Sequence, residues 1–157
     1  MSWKPTKMEK CYYPYEDFLA DTKDLTDKID WKFDSIIAIA RGGMSLAQLL
    51  GEYYDIREVY SINTIGYEDT TKLGSVKVFN IPELYEAKNV LIVDDIVDSG
   101  DTLVEVLKVL RQMYPTVIFK TASLFYKKSA KIAPDWYVQE ADKWIGFFWT
   151  EDIKRKI

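Results

Sequence analysis

Two short apolar runs, Ser35-Ile-Ile-Ala-Ile-Ala40 and Val90-Leu-Ile-Val93, each stop at a loop and give way to helical periodicity. A run this short with no polar alternation reads as a strand covered on both faces. Two strand–loop–helix units of this kind predict an α/β fold, with a mostly parallel sheet flanked by helices. Ligands of such sheets collect beyond the carboxyl ends of the strands. The loops after Ala40 and after Val93 are therefore the first places to look for chemistry.

The rest of the chain fits this frame. Tyr15, Phe18, Leu19, Leu25 and Ile29 predict a helix over 15–29, and residues 44–54 predict another. Leu103, Val106, Leu107, Leu110 and Met113 form an amphipathic stripe over 102–114. Strands are expected at 57–65, 76–79 and 116–125. The polar segment 66–75 carries two glycines and reads as a mobile loop. The aromatic tail 136–149 reads as irregular. Neither a repeat nor a linker divides the 157 residues, so one domain over 1–157 is expected.

Composition removes several chemistries. The chain has no histidine, which excludes Ser-His-Asp catalysis and the usual zinc sites. Its one cysteine, Cys11, has no partner for a disulfide within the chain. A net charge of −4 disfavours nucleic-acid binding. No apolar run is long enough to cross a bilayer, and the start Met1-Ser-Trp-Lys-Pro5 lacks a signal-peptide core, so a cytoplasmic location is expected. Carboxylates, lysines, backbone amides and a hard metal ion remain.

Those groups converge after the second run, in Asp94-Asp95-Ile-Val-Asp98-Ser99-Gly100-Asp101-Thr102. Adjacent carboxylates at a strand end repel each other and are costly to bury without a cation or hydroxyl donors. A ribose diol and a magnesium ion are such partners. Ser99, Gly100 and Thr102 open the next helix, where free amides and the dipole attract phosphate. Taken singly, the acid pair reads as a solvated turn and Ser99–Thr102 as a plain cap. Their order favours a diol-binding pair beside a phosphate cradle.

This segment resembles the phosphoribosyl pyrophosphate (PRPP) signature of the type I phosphoribosyltransferase family. The resemblance implies that Asp94 and Asp95 hold the ribose hydroxyls, with Asp95 reaching Mg2+ through bound water. It implies that Val97, Asp98, Ser99, Gly100, Asp101 and Thr102 wrap the 5-phosphate. Asp98 would also sit near N7 of a purine and assist its proton transfer, making Asp94, Asp95 and Asp98 the catalytic candidates. Arg41-Gly42-Gly43 stands where the family binds pyrophosphate. Segment 66–75 resembles the family's closing loop, with Tyr67 and Lys77 as candidate contacts; both also fit exposed loop residues.

The later sequence resembles the xanthine-guanine branch of the family. By that resemblance Lys127, or Lys128 beside it, bonds a purine 6-oxo group, Trp144 stacks on the base, and the backbone near Ile145 reads the 2-substituent. An ammonium donor prefers an oxo over an amino group, which disfavours adenine. The resemblance implies a core over about 33–125 and a small base-binding hood from 126–149 with the N-terminal segment. The expected partners are PRPP, a purine base, a nucleoside monophosphate and pyrophosphate, in a homodimer or homotetramer. The aromatic segments 12–15 and 147–149 look exposed and suit a subunit interface. Gly146-Phe147-Phe148 departs from the family's more polar pattern, which leaves the order of guanine, xanthine and hypoxanthine open. The alternatives are a PRPP- or nucleotide-sensing regulator on the same fold, a receiver domain, and a pyrimidine or orotate phosphoribosyltransferase. The receiver is disfavoured because too few residues follow Asp95, and the pyrimidine enzymes by Lys127 and Trp144.

Overall fold

In the computed structural model, residues 10–66 and 75–155 are described. The first apolar run is β2 (Ser35–Ala40), followed by α2 (Met44–Tyr54); before them lie β1 (Lys10–Tyr13) and α1 (Tyr15–Lys28). Next come β3 (Val59–Gly66), β4 (Val76–Phe79), β5 (Asn89–Val97), α3 (Asp101–Met113) and β6 (Ile118–Tyr126). The chain ends in β7 (Trp136–Glu140), β8 (Trp144–Phe147) and α4 (Phe148–Lys154).

Six strands form one sheet in the order β4-β3-β2-β5-β6-β7, parallel throughout except for β4, which runs antiparallel to β3. The mostly parallel α/β architecture expected from the two runs is present. Their lack of alternation has a direct cause. Ile36 and Ala38 pack toward Phe18, Leu25, Leu46 and Leu50 of α1 and α2. Ile37 and Ile39 face the opposite layer, with Val106, Leu107 and Leu110 of α3. Each strand thus lines two cores, and a polar residue on either face would be buried without a partner. No helix among the described residues is long and apolar enough to cross a membrane.

The structure corrects four details. The strand expected at 90–93 continues to Val97, so the acid pair lies within β5. Met113 is exposed: it is the last residue of α3, and the buried face of the helix ends at Leu110. The tail is ordered: β7 extends the main sheet, and β8 pairs in parallel with β1 in a separate two-stranded sheet. Finally, Tyr13 and Phe147, expected on an interface, are buried within the chain, packed edge-on at 5.7 Å between ring centroids. Tyr12 and Tyr15 are exposed.

A buried polar knot fixes the small sheet to the large one. Asp21 of α1 accepts hydrogen bonds from the Tyr13 hydroxyl at 2.7 Å and from Gln139 Nε2 at 2.6 Å. Burial and the Asp21 carboxylate push the Tyr13 phenol far above its usual range, so it stays a neutral donor. Through Tyr13 and Gln139, β1 and β7 are tied to the same helix.

Candidate active site

Parallel strands set the carboxyl ends of β2, β5 and β6 side by side, and the loops that leave them meet. After β2 the chain passes through Arg41, Gly42 and Gly43 into α2. Gly42 lies against Asp95: a Cβ at position 42 would overlap its carboxylate. A Cβ at Gly43 would overlap the Val93 carbonyl, and Gly43 N–H donates to Ile39 O at 2.9 Å. Both glycines are thus required by the close approach of the loop to β5.

The acid pair is poorly provided with donors. Asp94 Oδ1 accepts from Asp95 N–H at 2.8 Å, and Asp95 Oδ1 from Ile96 N–H at 2.7 Å. Burial, followed by the neighbouring Asp95 charge, pushes the Asp94 carboxyl well above the ordinary range. Burial raises Asp95 as well, partly offset by its hydrogen bonds from Asp94 and the Ile96 amide. The pair is set to receive a cation or hydroxyl donors. Among the described residues no cluster of three or more His, Cys, Asp or Glu could hold a metal ion. Magnesium, however, is commonly held by one or two carboxylates together with substrate phosphates, and this pair fits an ion arriving in that way.

The loop from β5 to α3 is braced from behind. Gly100 adopts φ +86°, in the left-handed region, and α3 starts without a side-chain cap. Ser99 O accepts from Lys131 N–H at 2.8 Å, and Ser99 Oγ accepts from Asp101 N–H at 3.2 Å. The Lys131 ammonium, 2.6 Å from Asp101, holds that carboxyl below its usual range. A Cβ at Gly100 would lie 3.1 Å from the backbone nitrogens of Lys131 and Ile132. Val97 is buried in the α3 core, and its carbonyl accepts from Lys127 N–H at 2.9 Å. Thr102 occupies the first turn of α3.

Two cavities open here. The first, about 480 Å³, is lined by Asp95, Asp98, Lys127, Trp144 and Ile145, together with Lys10, Lys143, Phe147, Thr150, Glu151 and Lys154. The second, about 440 Å³, is lined by Arg41, Gly42 and Trp149 and shares Asp95, Phe147, Thr150 and Lys154 with the first. Asp95 therefore stands at their junction. Within the first cavity Lys127 Nζ is 3.0 Å from Asp98 Oδ1. Lys128 points elsewhere, pairing with Glu140 at 3.4 Å. Trp144 is more than half exposed, so its indole face is open to a ligand.

The structure thus brings together Arg41, Gly42, Asp95, Asp98, Lys127, Trp144 and Ile145 around adjoining cavities. Lys77 lines neither; it lies on β4, at the sheet edge, with its ammonium 6.0 Å from the Phe79 ring. Tyr67 and most of the expected closing loop lie outside the described residues. Sequence reasoning missed Lys10, Lys143, Thr150, Glu151 and Lys154. None belongs to a motif. Lys10 and Glu151 reach the site through the pairing of β1 with β8 and the turn into α4, contacts that local pattern does not encode.

The phosphoribosyl transferase domain profile matches residues 17–156. A xanthine-guanine phosphoribosyltransferase of Gluconobacter oxydans is 36% identical over 122 residues, covering 74% of this chain and 68% of that one. A solved Helicobacter pylori xanthine-guanine-hypoxanthine phosphoribosyltransferase is 43% identical, with a TM-score of 0.86 over 93% of this chain and 97% of that chain. A purine phosphoribosyltransferase from Pyrococcus horikoshii is 30% identical with a TM-score of 0.79, covering 92% and 95%. With the acid pair on β5, the glycine-lined approach of the β2 loop and the uncapped start of α3 all at one sheet end, the chain belongs to the phosphoribosyl transferase domain family.

Proposed function

We propose that this protein transfers the phosphoribosyl group of PRPP to a 6-oxopurine, giving the nucleoside monophosphate and pyrophosphate in purine salvage. The observation that carries this reading is the position of Asp95 between a cavity bearing Arg41 and Gly42 and a cavity bearing Lys127, Asp98 and Trp144. The first suits a polyphosphate, the second a flat heterocycle, and the sugar carbon must react between them.

In this reading Asp94 and Asp95 accept hydrogen bonds from the ribose hydroxyls, which relieves the repulsion that raises both carboxyls. Arg41 and the glycine amides take the pyrophosphate. Ser99, Gly100, Asp101 and Thr102, with the backbone of Val97, wrap the 5-phosphate at the start of α3. Mg2+, held on the Asp95 side, supplies neutralising charge to the leaving group when bound.

Lys127 and Asp98 offer a donor and an acceptor side by side. The edge of a 6-oxopurine that bears O6 and a protonated N7 offers the complement, and adenine would turn its amino group toward an ammonium. Trp144 covers the face of the ring. A purine nitrogen then forms its bond to the anomeric carbon as the bond to pyrophosphate breaks, and Asp98 takes the purine proton. Lys77 acts from the edge of the closing loop. The protein works in the cytoplasm as a homodimer or homotetramer, without nucleic acid, and sedimentation equilibrium checks its mass.

A spectrophotometric assay with PRPP and Mg2+ against guanine, xanthine, hypoxanthine, adenine, uracil and orotate tests the reading. Turnover of 6-oxopurines and not of adenine is expected. Binding of PRPP without turnover of any base would replace the enzyme by a sensor on the same fold.

A further inference from the structure

The base cavity contains a second ion pair that the mechanism above does not use. Lys10 of β1 and Glu151 of α4 lie 2.5 Å apart on its wall. Lys10 is the register partner of Trp144, one strand away from the indole. Both side chains pack over Gly146. A Cβ there would lie 2.9 Å from Lys10 Cε and 3.2 Å from Glu151 Cγ, so any larger residue would displace the pair. Gly146 directly follows Ile145, beside the wall where the 2-substituent is expected. Neither side chain is sealed in: Lys10 is 50% and Glu151 31% exposed. Either can turn to a ligand at modest cost.

This inference rests on the 6-oxopurine reading. A base stacked on Trp144, with its O6 and N7 edge against Lys127 and Asp98, turns its opposite edge toward the remainder of the cavity. That edge carries the 2-substituent. Guanine presents there an amino donor, xanthine an oxo acceptor, and hypoxanthine neither. We propose that the Lys10–Glu151 pair selects the 2-substituent: Glu151 accepts from the 2-amino group of guanine, and Lys10 donates to the 2-oxo group of xanthine. A single charge would favour one base and reject the other. A loosely held pair of opposite charges serves both, whichever partner is not engaged remaining compensated by water.

The test is the ratio of kcat/KM for guanine to kcat/KM for xanthine in the full-length protein carrying Glu151→Gln or Lys10→Met. Glu151→Gln is expected to lower the ratio by roughly tenfold, the scale of one charge-assisted hydrogen bond, and Lys10→Met to raise it by about the same factor. Both bases are assayed in one preparation, so the ratio does not depend on the fraction of enzyme that is folded. Glu151→Leu and Lys10→Gln replace a variant that yields no soluble protein. A ratio unchanged in both variants, moved in the same direction by both, or moved by only one, overturns the selector. Wild-type protein that turns over hypoxanthine but neither of these bases also overturns the selector, whereas turnover of none of the three instead refutes the oxopurine reading itself.

Discussion

The two ends of the central sheet treat aspartate in opposite ways. At the amino end Asp34, just before β2, accepts from the amides of Lys88 and Asn89 at 2.9 and 3.0 Å and from the Ser35 hydroxyl at 2.8 Å. Partial burial pushes its carboxyl up, but these donors outweigh burial and hold it below the usual range. At the carboxyl end Asp94 and Asp95 have each other and few donors, and both are raised. Asp34 serves the folded chain by tying β2 to the start of β5. The pair on β5 costs the folded chain stability, and on the proposed reading a ligand relieves that cost. A carboxylate satisfied by its own backbone is structural, whereas one short of donors between two cavities, as Asp95 is, is a candidate site.

That contrast is broken most sharply at the acid pair. On the proposed reading, Asp94→Asn with Asp95→Asn removes two charge-assisted bonds to the ribose diol and should reduce kcat/KM by about a thousandfold. The same change should raise the ligand-free Tm, because the repulsion disappears; steady-state kinetics and calorimetry on one preparation read both. Gly42→Ala comes next. Its methyl overlaps the Asp95 carboxylate, and a loss of roughly a hundredfold in kcat/KM, mostly as KM for PRPP, is expected from misplacing the site. Lys127→Met should cost roughly tenfold or more with 6-oxopurines. Lys128→Met, outside the cavities, should leave the rate within about twofold, as expected of an exposed ion pair.

Smaller effects sharpen the comparison through pH. The acid pair has a raised folded pKa, so its folded form binds more protons than the unfolded chain. Its contribution is favourable below the unfolded value, about 3.9, and is lost as pH rises through the raised folded value. Asp34 is depressed and does the reverse: its contribution is present above about 3.9 and is lost as pH falls through its lowered folded value. Urea titrations of the ligand-free protein should therefore show a stability loss on the alkaline side that vanishes in the double Asn variant. Asp34→Ala is the smallest change. It should cost about 1 kcal/mol, given the exposure of the side chain, with kcat unchanged.

Much of this was legible because strand and loop chemistry are local. The Ser35–Ala40 and Val90–Val93 runs, the boundaries of α2, and the helix beginning near Thr102 followed from apolar runs and helical periodicity. Arg41, Asp95, Asp98, Lys127, Trp144 and Ile145 were legible as a set only through the family resemblance, and they do meet at adjoining cavities. The tail was misread. Trp136–Glu140 and Trp144–Phe147 lack clean alternation, and rings from outside each segment cover them: Trp31 stacks on Trp136 and Tyr126 meets Tyr137, while Tyr13 and Trp149 meet Phe147. Tyr13 likewise looked like surface, because the rings that cover it, Phe125 and Phe147, are distant in sequence.

By itself the sequence determined the two-sided strands, the helices between them and the acid pair leading to a glycine loop, for burial on both faces and close backbone approach each demand particular residue types at adjacent positions. Only the tertiary structure decided which residues join Lys127 and Trp144 in walling their cavity. Lys10 and Glu151 come within 2.5 Å of each other through a parallel pairing of the first and last strands. That contact is made by packing energy across nearly the whole chain, and no local pattern of charge or hydrophobicity records it.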